Sequence, residues 1–362
     1  PGLIAGLLGA ALLAGCSSEA KLGGSKDGGP GDGQVIGDAG ALGDGAPNLG
    51  DGAPPLGDGA PATDTRLSDQ GTLPSPFATS SVQTAGFGNV VDMTTDSAGY
   101  LYVVGEFEGT LTVGSTTIVS AGFKDIYLAK YSPTGSPLWA VRGGATSGDS
   151  PLAVAVDDKN AYVLGKFFED ATFGSVSVTK SSNSTPDLVV FKVDDTGTVA
   201  WATGLKVYAP TGGGIGVDGQ GNVYISSSFF YSSAVGKTSV IGTTTLQTAG
   251  AQDIFVAKLS KSGAPLWAVT AGGAGADEAR DLAVDEQGNT FVTGKFEGTA
   301  TFGSHKRLSN GNWDTFVSKL DSSGNFVWAA SGGGSYRDAG TALALGRDGG
   351  IYVTGEYDLA ST

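Results

Sequence analysis

Four short segments, each opening on Asp and closing on Lys, recur at nearly constant spacing and leave few folds open to the chain. They are Asp125-Ile-Tyr-Leu-Ala-Lys130, Asp187-Leu-Val-Val-Phe-Lys192, Asp253-Ile-Phe-Val-Ala-Lys258 and Asp314-Thr-Phe-Val-Ser-Lys319, separated by steps of 62, 66 and 61 residues. Trp139, Trp201, Trp267 and Trp328 keep the same steps, each nine residues beyond its Lys. A period of this length marks a repeat architecture, in which each unit buries its apolar surface against its neighbours.

Each repeat carries two turn signals. One precedes an aromatic segment: Asp96-Ser-Ala-Gly99, Asp218-Gly-Gln-Gly221 and Asp285-Glu-Gln-Gly288. The other precedes the tryptophan: Ser132-Pro-Thr-Gly135, Asp194-Asp-Thr-Gly197, Ser260-Lys-Ser-Gly263 and Asp321-Ser-Ser-Gly324. Asp or Ser at the first corner with Gly at the fourth is the chemistry of a type I turn. Two such turns flanked by apolar alternating segments make two hairpins. The unit is read as Leu282 to Val284, turn, Phe291 to Gly294, connector, Asp314 to Leu320, turn, Phe326 to Ala329. That is one four-stranded antiparallel sheet, the size of a propeller blade. Gly105, Gly165, Gly294 and Gly355 fall where a second backbone approaches closely. The expected fold is all-β, a β-propeller of blades of about 60 residues, over residues 76–362. The chain holds about four and a half blades, the fifth breaking off after Tyr352-Val-Thr-Gly355.

These motifs resemble the bacterial SBBP β-propeller repeat, with its Asp-x-x-Gly turn, Tyr-Val-x-Gly strand, Asp-x-Phe-x-x-Lys strand and Gly-x-x-x-Trp element. The resemblance runs from Phe77 to Thr362; quinoprotein-type propellers share the Gly-x-x-x-Trp element and are the nearest confusable relatives. Three departures stand out: a shortened turn between Asp157 and Tyr162, Ser227 in place of the strand glycine, and the incomplete fifth repeat. Pro76-Phe77-Ala78 is expected to serve as the last strand of the final blade, in the register of Pro265-Leu266-Trp267-Ala268.

Ahead of the repeats the text changes. Leu3–Ala14 is an unbroken run of apolar residues and Gly, the length of a signal-peptide core and too short to span a bilayer. It ends in Leu13-Ala14-Gly15-Cys16, which resembles the bacterial lipobox. The resemblance implies that Cys16, the single cysteine, is diacylated, and that Ser17 beside it permits export to the outer membrane. Two acyl chains anchor stably where one does not. Residues 1–16 are therefore expected to be a lipoprotein signal peptide, N-terminally truncated because no Met or basic segment precedes it. Residues 17–75 repeat Leu-Gly-Asp-Gly-Ala-Pro from Leu42, Leu49 and Leu56. Gly and Pro exclude a helix, the ligand spacing of calcium loops is missing, and a disordered tether is the expectation.

The 36 acidic residues outnumber the 21 Lys and Arg, for a formal net charge of −15, which argues against nucleic-acid binding. Residues that recur in every blade serve the fold: Asp125, Asp187, Asp253 and Asp314 are expected to accept backbone N–H bonds, and the tryptophans to fill space between blades. A second reading has Asp149, Asp277 and Asp338 binding cations along one face. Unique residues are the ligand-binding candidates. Phe229, Phe230 and Tyr231 offer either a stacking platform for a sugar or peptide or the core of an irregular blade. His305, the only histidine, sits with Lys306 and Arg307 in a connector, without the elbow or orienting acid of a hydrolase or the partners of a metal site. Gly214-Ile-Gly216-Val-Asp-Gly219 leads into a strand, not a helix, and Gly236-Lys237-Thr238 lacks the first glycine of a phosphate loop. No cofactor is expected. The expected function is a non-enzymatic surface module, anchored to the membrane by lipid, that binds glycan, peptide or an envelope partner. The alternative is an extracytoplasmic propeller enzyme, a polysaccharide lyase, hydrolase or quinoprotein dehydrogenase, whose site lies in further blades.

Overall fold

The computed structural model describes residues 83–85, 88–181, 185–230, 239–346 and 348–358. The chain divides into two units, Pro1–Ser68 and Asp69–Thr362, and every described residue belongs to the second. Cys16, the 17–75 segment, Pro76-Phe77-Ala78 and Tyr231 lie outside the described residues.

Strand β1 (Gln83–Ala85) precedes four units of six strands. The first holds β2 (Gly88–Thr95), β3 (Leu101–Phe107), β4 (Thr110–Val113), β5 (Thr116–Val119), β6 (Asp125–Tyr131) and β7 (Pro137–Gly144). The second holds β8 (Ser150–Val156), β9 (Ala161–Phe167), β10 (Ala171–Phe173), β11 (Val176–Val178), β12 (Asp187–Val193) and β13 (Val199–Leu205). The third holds β14 (Ile215–Val217), β15 (Val223–Phe230), β16 (Ser239–Ile241), β17 (Thr244–Leu246), β18 (Gln252–Leu259) and β19 (Pro265–Gly273). The fourth holds β20 (Glu278–Val284), β21 (Thr290–Phe296), β22 (Thr299–Phe302), β23 (His305–Leu308), β24 (Asp314–Leu320) and β25 (Phe326–Gly332). Strands β26 (Asp338–Leu345) and β27 (Ile351–Tyr357) open a fifth.

In each full unit the first, second, fifth and sixth strands pair antiparallel in that order, as in β20-β21-β24-β25. First strands of successive blades pack on one another, β2 on β8, β8 on β14, β14 on β20 and β20 on β26, and so line a common axis. The fold is a β-propeller. Middle strands lie sandwiched between neighbouring blades: all seven residues of β6 are buried. The glycine rule holds at Gly105 and Gly294, where a Cβ would collide with the backbone carbonyls of Asn89 and Glu278. Ser227, in the third blade, spends its hydroxyl on the carbonyls of Thr211 and Gly212 instead, at 3.1 and 3.0 Å.

The turns form as their residues dictate. Gly135 N–H bonds Ser132 O at 2.8 Å, and Gly99 N–H bonds Asp96 O at 3.0 Å. The recurring Asp side chains accept backbone N–H groups from the segment before them: Ala121 to Asp125 at 2.9 Å, Ser181 to Asp187 at 2.7 Å, Asn310 to Asp314 at 3.0 Å, and Ala249 to Asp253.

One expectation is corrected. The stretch between the second and fifth strands is not a plain connector but a hairpin, β4–β5, β10–β11, β16–β17 or β22–β23, closed by a two-residue loop. Gly leads each loop, with φ of +60° at Gly114 and +61° at Gly303, as a type II′ turn requires. The hairpin reaches back to the blade before: β10 pairs with the end of β7, β22 with the end of β19, and Val240 of β16 bridges Lys206. Strand β1 meets β4 in the same way, so a segment ahead of the first blade stands where a preceding outer strand would. Phe173, fully buried, packs on Phe167 and Phe191 at centroid distances of 6.2 and 5.0 Å.

Candidate functional site

The residues singled out by sequence do not come together. Phe229 is 2% exposed and packs edge-on against Phe255 at 6.1 Å, so its ring is core. Phe230, the next residue of β15, is 38% exposed, as strand alternation demands. The two cannot share a stacking platform. His305 opens β23, half-buried, opposite Phe302 in the hairpin. Among the described residues no group of three or more His, Cys, Asp or Glu side chains is arranged to hold a metal ion.

What the fold does assemble is a recurring groove at each joint between blades. The last strand supplies Trp, the fifth strand Lys, the second strand an aromatic ring, and the next blade its turn. Trp139 Nε1 donates to Asp195 O at 3.0 Å, Trp201 to Lys261 O at 3.0 Å and Trp267 to Ser322 O at 3.2 Å. Each indole meets the Tyr beside it: Tyr102 at 6.2 Å, Tyr162 at 6.4 Å and Tyr224 at 6.0 Å. The Lys ammonium lies over the same rings, 5.0 Å from Tyr102, 5.3 Å from Tyr162 and 4.8 Å from Tyr224. That geometry is a cation–π contact.

Between the first and second blades the groove opens into a cavity of about 280 Å³. Tyr100, Leu138 and Trp139 form its apolar wall, and Asp96, Asp158 and Asp195 its acidic rim. Asp96 is committed to its turn, accepting from Ala98 N at 3.0 Å and Tyr100 N at 2.9 Å, while Asp158 accepts from Ser97 Oγ at 2.7 Å. Lys130, nearly buried, pairs with Asp195 and lies 4.4 Å from the Tyr100 ring. Burial pushes the Lys130 ammonium down, but Asp195 and the Tyr102 hydroxyl outweigh it and hold the pKa above the ordinary lysine value. Burial raises the Tyr102 hydroxyl as well. The cavity thus offers aromatic and aliphatic surface beside carboxylates and one fixed cation.

Sequence reading passed over this set because Trp139 and Lys130 belong to the repeat, although Tyr100 stands where the next three blades carry Asn160, Asn222 and Asn289. The available signal was a departure from it: the turn position held by Asp195 carries Pro133, Lys261 and Ser322 in the other blades.

No family model matches the chain. It is 25% identical over 236 residues to an uncharacterized WD repeat-containing protein of Acanthamoeba polyphaga mimivirus, covering 54% of this chain and 16% of that protein. The chain thus spans about a sixth of the length of that relative.

Proposed function

We propose that this chain is a non-enzymatic β-propeller interaction module of the SBBP-repeat type, held at a bacterial outer membrane by lipid on Cys16, that binds a glycan, peptide or envelope protein. The observation that carries the binding role is the cavity between the first two blades. There a half-buried aromatic wall, Tyr100 and Trp139, stands beside the carboxylates of Asp158 and Asp195. Flat rings facing acceptor oxygens suit the C–H faces and hydroxyls of a sugar, or an aromatic or basic peptide side chain. The relative's WD repeats point to the same class of module. The lipid anchor rests on Leu13-Ala14-Gly15-Cys16.

The test is binding of the purified full chain to an immobilised glycan array and a peptide array, with Trp139→Ala as the variant. Saturable binding weakened at least about tenfold by the variant, a loss of about 1.4 kcal/mol, supports the reading. Turnover of a polysaccharide, or quinone-dependent reduction of a dye, by the same protein would replace it with the enzyme alternative. Incorporation of labelled palmitate, abolished in Cys16→Ser, tests the anchor separately.

A further inference from the structure

In the first, third and fourth blades the Asp at the start of the fifth strand is capped by the amide four residues before it. Ala121 N donates to Asp125, Ala249 N to Asp253 and Asn310 N to Asp314. The residue after that amide is glycine each time, and packing demands it. A Cβ on Gly122 would lie 2.2 Å from Thr146 O, on Gly250 2.3 Å from Gly273 O and on Gly311 2.1 Å from Tyr336 O. These carbonyls belong to the stretch that leads out of each blade, so the glycine sits where two backbones pass in contact.

The residue ahead of the glycine is under no such constraint, and the fourth blade makes it Asn where the first and third have Ala. Asn310-Gly311 is the one Asn-Gly pair in the sequence. In that pair the Gly amide nitrogen, with no Cβ beside it, is well placed to attack the Asn side-chain carbonyl and close a succinimide ring. Both reacting groups are available here. Asn310 is exposed, and no acceptor among the described residues takes the Gly311 N–H. The group to be lost is held by long bonds only, Nδ2 lying 3.4 Å from Asp314 Oδ2 and 3.3 Å from Gly333 O.

We propose that Asn310 is a site of spontaneous deamidation and that its product loosens the joint between the fourth and fifth blades. Gly311 N bonds to Asn310 Cγ and gives its proton to solvent base. The Cγ–Nδ2 bond breaks, and Nδ2 takes a proton from water and leaves as ammonia. Water then opens the ring, at Cγ to give Asp or at the backbone carbonyl to give isoaspartate. Water is the only co-reactant, and nothing is oxidised or reduced. The product puts an acceptor where a donor stood, against Asp314 and the carbonyl of Gly333. Asp314 is 1% exposed, and no Lys, Arg or His of the described residues pairs with it, so the new charge is not offset. Isoaspartate also lengthens the backbone just ahead of Gly311, where the contact with Tyr336 O leaves no slack. This inference is independent of what the cavity at the first joint binds.

The test holds the purified full chain in mildly alkaline buffer and follows the tryptic peptide Leu308–Lys319 by mass spectrometry, alongside thermal unfolding. Conversion of the Asn310 amide to acid in the native chain, as both Asp and isoaspartate, is expected, and the aged protein should unfold about 2–4 °C lower. Asn310→Ala, which copies the first and third blades, should keep its Tm through the same incubation. Asn310→Asp, which supplies the charge without the longer backbone, should start below the wild type. An amide that stays intact in the native chain, whether or not it converts in urea, overturns the proposal. So does a Tm unchanged after full conversion, or an equal fall in Asn310→Ala.

Discussion

The indole N–H of Trp201 donates to the backbone carbonyl of Lys261, sixty residues further on and in the next blade, at 3.0 Å. The ring also lies against Gly263, where a Cβ would come within 2.7 Å of it. The Trp is therefore a strut between blades. Trp201→Phe keeps most of the apolar contact and should cost about 1 kcal/mol, the worth of one hydrogen bond. Trp201→Ala removes the packing too and should cost about 3 kcal/mol or more. Urea unfolding of the two variants checks the ratio; no loss in Trp201→Phe would mean that the bond contributes nothing.

Asp92 and Asp281 tie the inner strands together, Asp92 Oδ2 accepting Val154 N at 2.8 Å and Asp281 Oδ2 accepting Leu343 N at 2.7 Å. Burial, aided by the charge of Asp92, pushes the Asp281 carboxyl up to about 6, against an ordinary value of 3.8. Between those values the native state keeps a proton that the unfolded chain has released. Stability should therefore fall as pH rises from about 4 to about 6 and level off above. Asp281→Asn, neutral throughout, should lack this part of the slope in urea unfolding followed across the same range. An unchanged slope would remove Asp281 from the account.

Gly272 and Gly298 separate two reasons for glycine. Gly298, at φ +66°, has open space where a Cβ would sit, while Gly272, at φ +147°, has two buried carboxylates there. Gly298→Ala should cost about 1–2 kcal/mol from backbone conformation alone. Gly272→Ala should cost about 3 kcal/mol or more, because buried groups must move as well. Comparison of thermal midpoints decides it; equal shifts would show that the carboxylates yield freely.

Phe229→Ala should cost about 3–5 kcal/mol, as deletion of a buried ring does. Phe230→Ala, on the outward face of the same strand, should change stability by less than about 0.5 kcal/mol. A large loss from Phe230→Ala would place that ring in a contact beyond the described residues.

The blade was legible because its signals are local and repeated. Asp-x-x-Gly turns, apolar alternation and the fixed Lys-to-Trp interval each constrain a few residues, and four copies remove coincidence. The hairpins β4–β5 and β22–β23 were legible in principle, since Gly114-Ser115 and Gly303-Ser304 sit between alternating residues. They were passed over because strands of three or four residues carry too little pattern to stand out. The cavity left only departures from the repeat, at Tyr100 and Asp195, and nothing that joins them. It depends on Asp195 coming to face Lys130, 65 residues away, and only the packing of one blade on the next brings them together.

The backward reach of each hairpin gives the ring a direction of assembly. Strand β10 pairs with the finished edge of β7, and β22 with that of β19, so each of these hairpins takes shape on an edge laid down earlier in the chain. A ribosome or a secretion channel releases the N-terminal blade first, so every blade that follows emerges with its docking edge already exposed. The same geometry, run in reverse, leaves each earlier edge intact when a later hairpin is pulled from it.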